Sequence, residues 1–334
     1  MTTTIGFGVL GANSFVANAA VMPAIDAAAT ARLVATASRS APVPDRWSAS
    51  AVTDYDAVLA HPDVDAVYIP LPNGMHREWT ERAAAAGKHV LCEKPLAADA
   101  ATAQAMAEAC TRTDVLLAEA WMTPFDRRWS TVIERLRAGV IGEVDSQLHR
   151  FTFTIGPDAS DNYRWDRGNG GGALLDVGIY CVGTAVELWG TGCTVESVRR
   201  TLSGSGVDAS TTARLRWPGG RTADVECSFV DPEHQTARFQ GTAGALTLED
   251  AAFTSGHPRD DVIVHTTADG SREEWRIAPG DPYQAMIESF ANAIGNRVEW
   301  PRPIERSIEL LELLEHMARA EPAAETETET ETDA

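Results

Sequence analysis

Three side chains of this chain have the types and spacing needed to move a proton to or from an alcohol or a ketone. Lys94 closes the short apolar run 89–92, and the pKa of a lysine shifts readily in a partly buried site. Asp176 and Tyr180 are four residues apart, so on a helix they share one face. Tyrosine has an ordinary pKa of about 10, which we expect a nearby ammonium to lower toward working pH. The alternative is local pairing for Asp176 and packing for Tyr180.

The scarcity of lysine supports a special role for Lys94. Of the 28 basic residues, only Lys88 and Lys94 are lysines. Arginine stays charged and planar, whereas lysine is a compact ammonium on a flexible stem. Retention of lysine at position 94 favours a site that needs a compact ammonium, and chance survival in an arginine-rich composition is the alternative.

The amino-terminal half alternates apolar strand patterns with helical patterns. Helical stretches such as 77–86 and 100–112 separate short apolar runs. This alternation predicts an α/β fold with a parallel, Rossmann-type sheet. In such sheets the chemistry lies at the carboxyl ends of the strands, where Lys94 would be. The predicted strands are 5–10, 32–37, 65–70, 89–92 and 115–118.

The first predicted strand leads into a loop that fits a phosphate site. In such folds this turn binds phosphate through backbone N–H groups and the positive end of a helix. Gly11 provides the tight turn, while Asn13 and either Val16 or Ala17 stand where later glycines are usual. Asparagine tolerates left-handed backbone better than most residues. The predicted cofactor contacts of this loop are Gly11, Asn13, Ser14 and Phe15.

The end of the second strand indicates which dinucleotide binds. An NAD site places Asp or Glu there, to accept from the ribose 2′-hydroxyl. This chain has Ser38, Arg39 and Ser40 instead, and an arginine between two hydroxyls suits a 2′-phosphate. We therefore predict NADP as the cofactor, with NAD possible and a surface arginine without a ligand as the alternative.

The carboxyl-terminal half predicts a second α/β domain with a large mixed, mostly antiparallel sheet. Turn sequences such as 218–220, 242–244 and 268–270 separate its strands. Helices are predicted over 283–294 and 304–320. The predicted strands are 144–155, 195–202, 212–217, 222–229, 237–240, 245–248, 262–267 and 273–277.

These patterns divide the chain into three parts. Residues 1–123 are predicted to bind the dinucleotide, and residues 124–320 to bind substrate. Residues 321–334 hold six acids and no base, which predicts a disordered acidic tail.

Composition excludes several classes of partner. The net charge of −20 argues against nucleic acid and anionic membranes. No apolar run approaches the roughly 20 residues that span a bilayer, and no signal peptide is expected from the first residues. Five scattered cysteines predict reduced thiols of a cytoplasmic protein. Neither they nor the eight histidines have the spacing of metal ligands, so no metal is expected.

Several stretches together resemble the glucose–fructose oxidoreductase, inositol dehydrogenase and rhizopine-catabolism (Gfo/Idh/MocA) family. Glu93-Lys94-Pro95 combined with the pattern G-G-G-x-L-x-D-x-G-x-Y of residues 170–180 is the most specific part. A tyrosine at position 180 resembles the dihydrodiol dehydrogenase, xylose dehydrogenase and sugar ketoreductase branch. The matching stretches are 64–76, 87–95, 141–144, 163–166 and 170–180.

The resemblance implies roles for individual residues. Lys94 and Tyr180 would handle the substrate proton while hydride moves to or from a nicotinamide, and Asp176 would orient substrate hydroxyls. Glu93 and Pro95 would hold Lys94 against the nicotinamide, with a cis bond before Pro95. The other residues implied to line the cofactor cleft are Leu71, Pro72, Asn73 and His76.

Further substrate contacts are predicted around this group. For Trp165 and Tyr283, aromatic packing is the alternative to a substrate contact. Thr123-Pro124 stands where many relatives have Tyr-Arg, so we expect the substrate contacts of that loop to differ. The resemblance also implies a dimer or tetramer formed through the second sheet. The predicted substrate residues are Trp121, Arg164, Trp165, Asp176, Tyr180 and Tyr283.

Three functions are compatible with these patterns. The first is an NADP-dependent oxidoreductase acting on a secondary alcohol or ketone of a sugar, cyclitol or cyclic diol. The second is a cofactor-bound sensor or scaffold without turnover, which the set Lys94, Asp176 and Tyr180 disfavours. The third is oxidative glycoside cleavage with tightly held NAD, which Ser38-Arg39 disfavours.

Overall fold

The computed structural model describes residues 4–39, 41–156, 162–254, 261–296 and 298–320. The predicted acidic tail and Ser40 lie outside these residues. The first sheet has five parallel strands in the order β2-β1-β3-β4-β5. Its strands are β1 (Ile5–Leu10), β2 (Ala31–Ala37), β3 (Ala66–Ile69), β4 (His89–Glu93) and β5 (Leu117–Ala120).

The predicted α/β architecture is confirmed, and within the first sheet one strand is displaced. The last strand of the first sheet begins two residues later than predicted, because the chain first turns through Asp114 at φ 56°. The amide of Leu116 then bonds to the His89 ring. The helices are α1 (Met22–Ala27), α2 (Tyr55–Ala60), α3 (Asn73–Ala85), α4 (Ala100–Arg112), α5 (Arg127–Arg137), α6 (Ile179–Trp189), α7 (Pro282–Asn296) and α8 (Ile304–Arg319).

The second sheet has eight strands in the order β13-β12-β11-β10-β6-β9-β8-β7. Only β6 and β9 pair in parallel, so the predicted mixed, mostly antiparallel sheet is confirmed. Its strands are β6 (Val144–Thr154), β7 (Thr194–Leu202), β8 (Asp208–Arg216), β9 (Thr222–Ser228), β10 (Val230–Gly241), β11 (Gly244–Leu248), β12 (Val262–Thr267) and β13 (Arg272–Arg276).

The two faces of the second sheet differ in chemistry. The inner face buries alternate apolar side chains such as Phe151, Val225 and Phe239 among the helices. The outer face holds ion pairs between neighbouring strands, including Arg214 with Asp224. These outer side chains remain partly exposed, so no other described element covers them.

The last two helices return to the first sheet. Helix α7 packs against α1 and β1, where the rings of Phe7 and Phe290 lie 6.0 Å apart. Helix α8 packs against α4 and β5. The division at residue 123 stays a prediction, and residues 282–319 contribute to the packing of both sheets.

One helical stretch, Arg167–Trp189, has the length and composition of a membrane span. Of its most apolar window, 78% is buried within the fold. Such burial is typical of a helix in the core of a globular domain.

Candidate active site

The glycine run before Asp176 allows close approach of other parts of the chain. A Cβ on Gly171 would lie 2.4 Å from the Arg164 carbonyl oxygen, and Gly172 has φ +119°. The Asp208 carboxylate accepts from the Leu174 amide at 2.7 Å and holds the start of the helical stretch. Only glycine fits such approaches and such φ values without strain. The run therefore lets the backbone pack tightly beside the cleft.

Asp176 and Tyr180 do not lie on a regular α-helix. Residues Leu174–Gly178 form a π turn that leads into α6. Such turns widen a helix locally and occur often at functional sites. Asp176 and Tyr180 both still reach Lys94, from different directions.

Lys94 is the centre of the site. Its Nζ donates to the Asp176 backbone oxygen at 2.7 Å and to Asp176 Oδ1 at 3.0 Å. The same nitrogen lies 4.9 Å from the centre of the Tyr180 ring. Arg164 Nε donates to the other carboxylate oxygen of Asp176 at 2.6 Å. The structure thus brings Lys94, Asp176, Tyr180 and Arg164 together.

These contacts determine the charges in the site. Burial is the largest single effect and lowers the pKa of Lys94, but the negative charges of Asp176, Tyr163 and Glu93 together outweigh it, so the pKa is raised. Burial raises the pKa of Asp176, yet Lys94 and Arg164 bring it down to about 2. The pair is therefore an ammonium and a carboxylate throughout the working range of pH.

The expectation that the Lys94 ammonium lowers the pKa of Tyr180 was wrong. Burial, followed by the negative charges of Glu93 and Asp176, raises the pKa of Tyr180 well above its ordinary value. The phenol is consequently protonated at neutral pH and can act as a proton donor.

Glu93 lies behind Lys94 with a strong hydrogen bond that the sequence did not reveal. Glu93 Oε1 accepts from the Tyr68 hydroxyl at 2.6 Å, and Oε2 accepts from the Lys94 amide at 3.2 Å. Burial raises the pKa of Glu93 to about 7, although Tyr68 and Lys94 act in the opposite direction. Glu93 is therefore the group of this site that titrates near neutrality.

The pKa of Glu93 leads to a pH prediction. Above about pH 7 Glu93 is an anion, and its charge makes Tyr180 a weaker acid. We expect kcat/KM for carbonyl reduction to fall several-fold as pH rises through this value. Glu93→Gln should give a flat profile. In Tyr68→Phe the midpoint should move to higher pH, because Tyr68 lowers the pKa of Glu93. A profile that Glu93→Gln leaves unchanged would contradict this assignment.

His76 and Asn73 support the cleft from behind. The His76 ring is completely buried, with Nε2 2.7 Å from the Leu71 carbonyl oxygen and Nδ1 3.1 Å from that of Pro95. Asn73 is also buried and donates to the Gly170 carbonyl oxygen at 2.9 Å. The His76 ring is closed off from the cleft, contrary to the implied cofactor contact, whereas the cofactor contact of Asn73 stays a prediction. The Lys94–Pro95 bond is cis, as the resemblance implies.

The predicted cofactor loop lies where the order of strands reverses, between β1 and β3. Open α/β sheets bind ligands at such a switch point. Gly11 has φ +113°, and its missing Cβ would contact Leu71 at 3.0 Å. Leu71 and Pro72, which follow β3, are half-buried and border the same crevice, while Phe15 is 86% exposed. A dinucleotide would bind in this crevice, and Ser14 Oγ, at the turn into the first helix, accepts from the Ala17 amide at 3.4 Å.

The predicted substrate residues outside the Lys94 cluster differ in where their side chains lie. Tyr283 is half-buried close to Tyr180. Burial is the largest cause of the raised pKa of Tyr283, and the negative charge of an ionised Tyr180 is the next. Trp165 packs edge-on against Phe229 at 5.5 Å, which is the packing alternative. Trp121 is 1% exposed, so its ring lies in the core and not in the cleft, contrary to the prediction.

Sequence reasoning missed a buried carboxylate that holds the catalytic loop. Glu119, at 3% exposure, accepts from the Leu96 amide at 2.9 Å, from Arg302 at 2.6 Å and from the Ser307 hydroxyl at 2.7 Å. The guanidinium of Arg302 lies over the Trp121 ring at 4.5 Å. The sequence does show Glu119 as the one charged residue within the apolar run 117–120, and this position could have predicted a buried carboxylate.

Both parts of the chain match one family. Residues 5–120 match the profile described as "Oxidoreductase family, NAD-binding Rossmann fold", and residues 129–247 match the Gfo/Idh/MocA C-terminal domain. Together with the site geometry, this match shows that the chain belongs to the Gfo/Idh/MocA family of oxidoreductases. The sequence-based assignment is confirmed.

Characterised relatives are similar over most of their length. D-xylose 1-dehydrogenase (NADP(+)) 2 of Haloferax volcanii is 37% identical, with 86% of this chain and 88% of the relative covered. A dTDP-3,4-didehydro-2,6-dideoxy-alpha-D-glucose 3-reductase of Streptomyces violaceoruber is 36% identical, covering 82% and 81%. A 3-ketoreductase of Actinomadura kijaniata, crystallised with NADP and TDP-benzene, has a TM-score of 0.86 at 30% identity, covering 94% and 96%.

Proposed function

We propose that the protein is an NADP-dependent oxidoreductase that interconverts a ketone and a secondary alcohol on a sugar, cyclitol or cyclic diol. The observation that carries this proposal is the Lys94 ammonium, which is bonded to Asp176 and lies over the Tyr180 ring at the end of β4. The NADP-dependent and sugar-directed relatives support the same activity.

The chain's own residues account for the proton. When bound, NADPH supplies the hydride. Tyr180 Oη donates its proton to the carbonyl oxygen, which its raised pKa permits because the phenol is neutral. The Lys94 ammonium stabilises the negative charge developing on that oxygen. Asp176 and Arg164 keep Lys94 in place, and in the reverse reaction the same proton returns to Tyr180.

NADP as the cofactor is supported by the end of β2. Ser38 is half-buried and Arg39 is exposed beside the crevice, and the position carries no acid for a ribose 2′-hydroxyl. An arginine next to a serine hydroxyl provides charge-assisted donors for a 2′-phosphate.

We also propose a homodimer or homotetramer formed through the outer face of the second sheet. Leu148 is 37% exposed on this face, among ion pairs such as Arg150 with Glu226. A sheet face of this kind is commonly buried by a partner. Analytical ultracentrifugation tests the proposal, and a single-chain mass of 35.8 kDa at micromolar concentration would overturn it.

A cytoplasmic location is proposed from the cysteines. All five are free thiols, and four of them are buried. Reduced cysteines are the usual state in that compartment.

A binding titration followed by a substrate screen tests the function. NADPH binding is measured by fluorescence, and turnover is then followed with aldoses, keto-sugars, nucleotide-linked keto-sugars, inositols and aromatic diols. Tight NADPH binding with turnover of one carbohydrate class is expected. Binding without turnover across the panel would favour the sensor, and co-purified NAD with glycoside cleavage would favour the third function.

A further inference from the structure

Asn13 connects the first loop to the segment that follows β2. Its Nδ2 donates to Ser38 Oγ at 2.8 Å and to the Ala41 carbonyl oxygen at 2.7 Å. These two bonds extend a backbone connection in which the amides of Gly11 and Ala12 both donate to the oxygen of residue 37. The amide side chain thus spans the ends of two neighbouring strands.

The orientation of the Asn13 amide follows from its partners. A backbone carbonyl can only accept, so the NH2 group and not Oδ1 must face Ala41. Both hydrogens of this NH2 are then used, one for each acceptor. The side chain of Asn13 therefore has no donor left for a phosphate, so any contribution it makes to phosphate binding is indirect.

The bond from Asn13 directs the Ser38 hydroxyl. Because Ser38 Oγ accepts from Asn13, its own hydrogen is available for an acceptor elsewhere. A phosphate offers acceptors only. The neighbouring Arg39 guanidinium is exposed, 6.0 Å from the centre of the Tyr55 ring, and pairs with no carboxylate among the described residues. Two donors beside one another are thus oriented for an external anion.

We propose that Asn13 is a specificity-determining positioning residue for NADP over NAD. By donating hydrogen bonds to Ser38 and Ala41, it keeps Ser38 and Arg39 where the 2′-phosphate binds. This inference rests on the proposed function, since it assumes NADP as the cofactor. It also gives a role to the residue that replaces the second glycine of the usual loop.

The test compares NADPH and NADH affinities of the full-length protein by fluorescence titration. Asn13→Ala should weaken NADPH binding about tenfold, the effect of losing well-placed bonds to a charged group, and NADH binding less than twofold. Ser38→Ala should have a similar effect, and the double variant should lose little more, because both changes remove one connected arrangement.

Asn18→Ala is the matched control. Asn18 Oδ1 accepts from Trp47 Nε1 at 2.8 Å, so this variant removes an asparagine bond in the same part of the sheet edge without touching Ser38. It should leave the ratio of NADPH to NADH affinities unchanged. The ratio distinguishes positioning from general loosening, which weakens both cofactors equally.

The outcomes separate the inference from the function on which it rests. If Asn13→Ala leaves the ratio of NADPH to NADH affinities unchanged, whether or not both affinities fall, the role of Asn13 is overturned. The NADP preference of the unsubstituted protein then still stands. Arg39→Ala, which removes the proposed phosphate contact itself, should abolish the preference in either case. A protein that prefers NADH before any substitution overturns both the cofactor proposal and this inference.

Discussion

Tyr180→Phe is expected to lower kcat for carbonyl reduction by roughly 10²–10⁴-fold, which is the usual contribution of a general acid. The substitution removes the proton donor but keeps the ring that packs 5.5 Å from Phe151 and lies beneath Lys94. Lys94→Met, which keeps the length of the side chain without its charge, should have an effect of the same order. Steady-state kinetics with NADPH measures both.

Two comparisons make this result specific. The dissociation constant of NADPH should stay within a few-fold in both variants, because neither group is proposed to bind the phosphates. Tyr163→Phe removes a 38% exposed phenol near the same cleft and should change kcat only a few-fold. If Tyr180→Phe retained most of its activity, another group would have to supply the proton.

Arg302→Met is expected to destabilise the fold by about 3–5 kcal/mol, because it leaves a buried carboxylate without its partner. Arg302 and Glu119 are 6% and 3% exposed and lie 2.6 Å apart, with Ser307 bonded to both. Denaturation with urea measures the free energy of unfolding. Since Glu119 also accepts from the Leu96 amide, the loop that carries Lys94 should loosen as well.

An exposed ion pair provides the control for this effect. Arg214 pairs with Asp224 on the outer sheet face, at 48% and 41% exposure. Arg214→Met should cost at most about 1 kcal/mol, as for other solvent-exposed pairs. The double variant Glu119→Gln with Arg302→Met should be more stable than Arg302→Met alone, because no buried charge then lacks a partner. Equal losses in Arg302→Met and Arg214→Met would contradict the buried-pair argument.

The strands and the residues at their ends could be predicted because their signals are local. Apolar runs bounded by turns predicted the buried part of each strand, since burial depends on the order of apolar residues along a few positions. Strands β8 and β10 begin earlier than predicted, at Asp208 and Val230, and residues 230–234 are exposed and lack an apolar run. Lys94 after β4 and Asp176 four residues before Tyr180 are likewise visible as letters. Gly11 was predicted as the tight turn, which its φ of +113° requires.

The charges and hydrogen bonds of the site depended on residues distant in sequence. The pKa of Tyr180, on helix α6, rises because of burial and the negative charge of Glu93 on strand β4, and does not fall as the sequence suggested. The partners of Glu93 and Glu119 are 25 and 183 residues away. His76 and Trp121 were expected in the cleft but are buried behind it.

The sequence by itself therefore determined the succession of strands along the chain, the family and the residue types available for chemistry. Only the tertiary structure decided which of these residues meet and which of them carry a proton. Local patterns reflect interactions within a few residues, whereas burial and electrostatic fields are summed over every segment that the fold brings near a group.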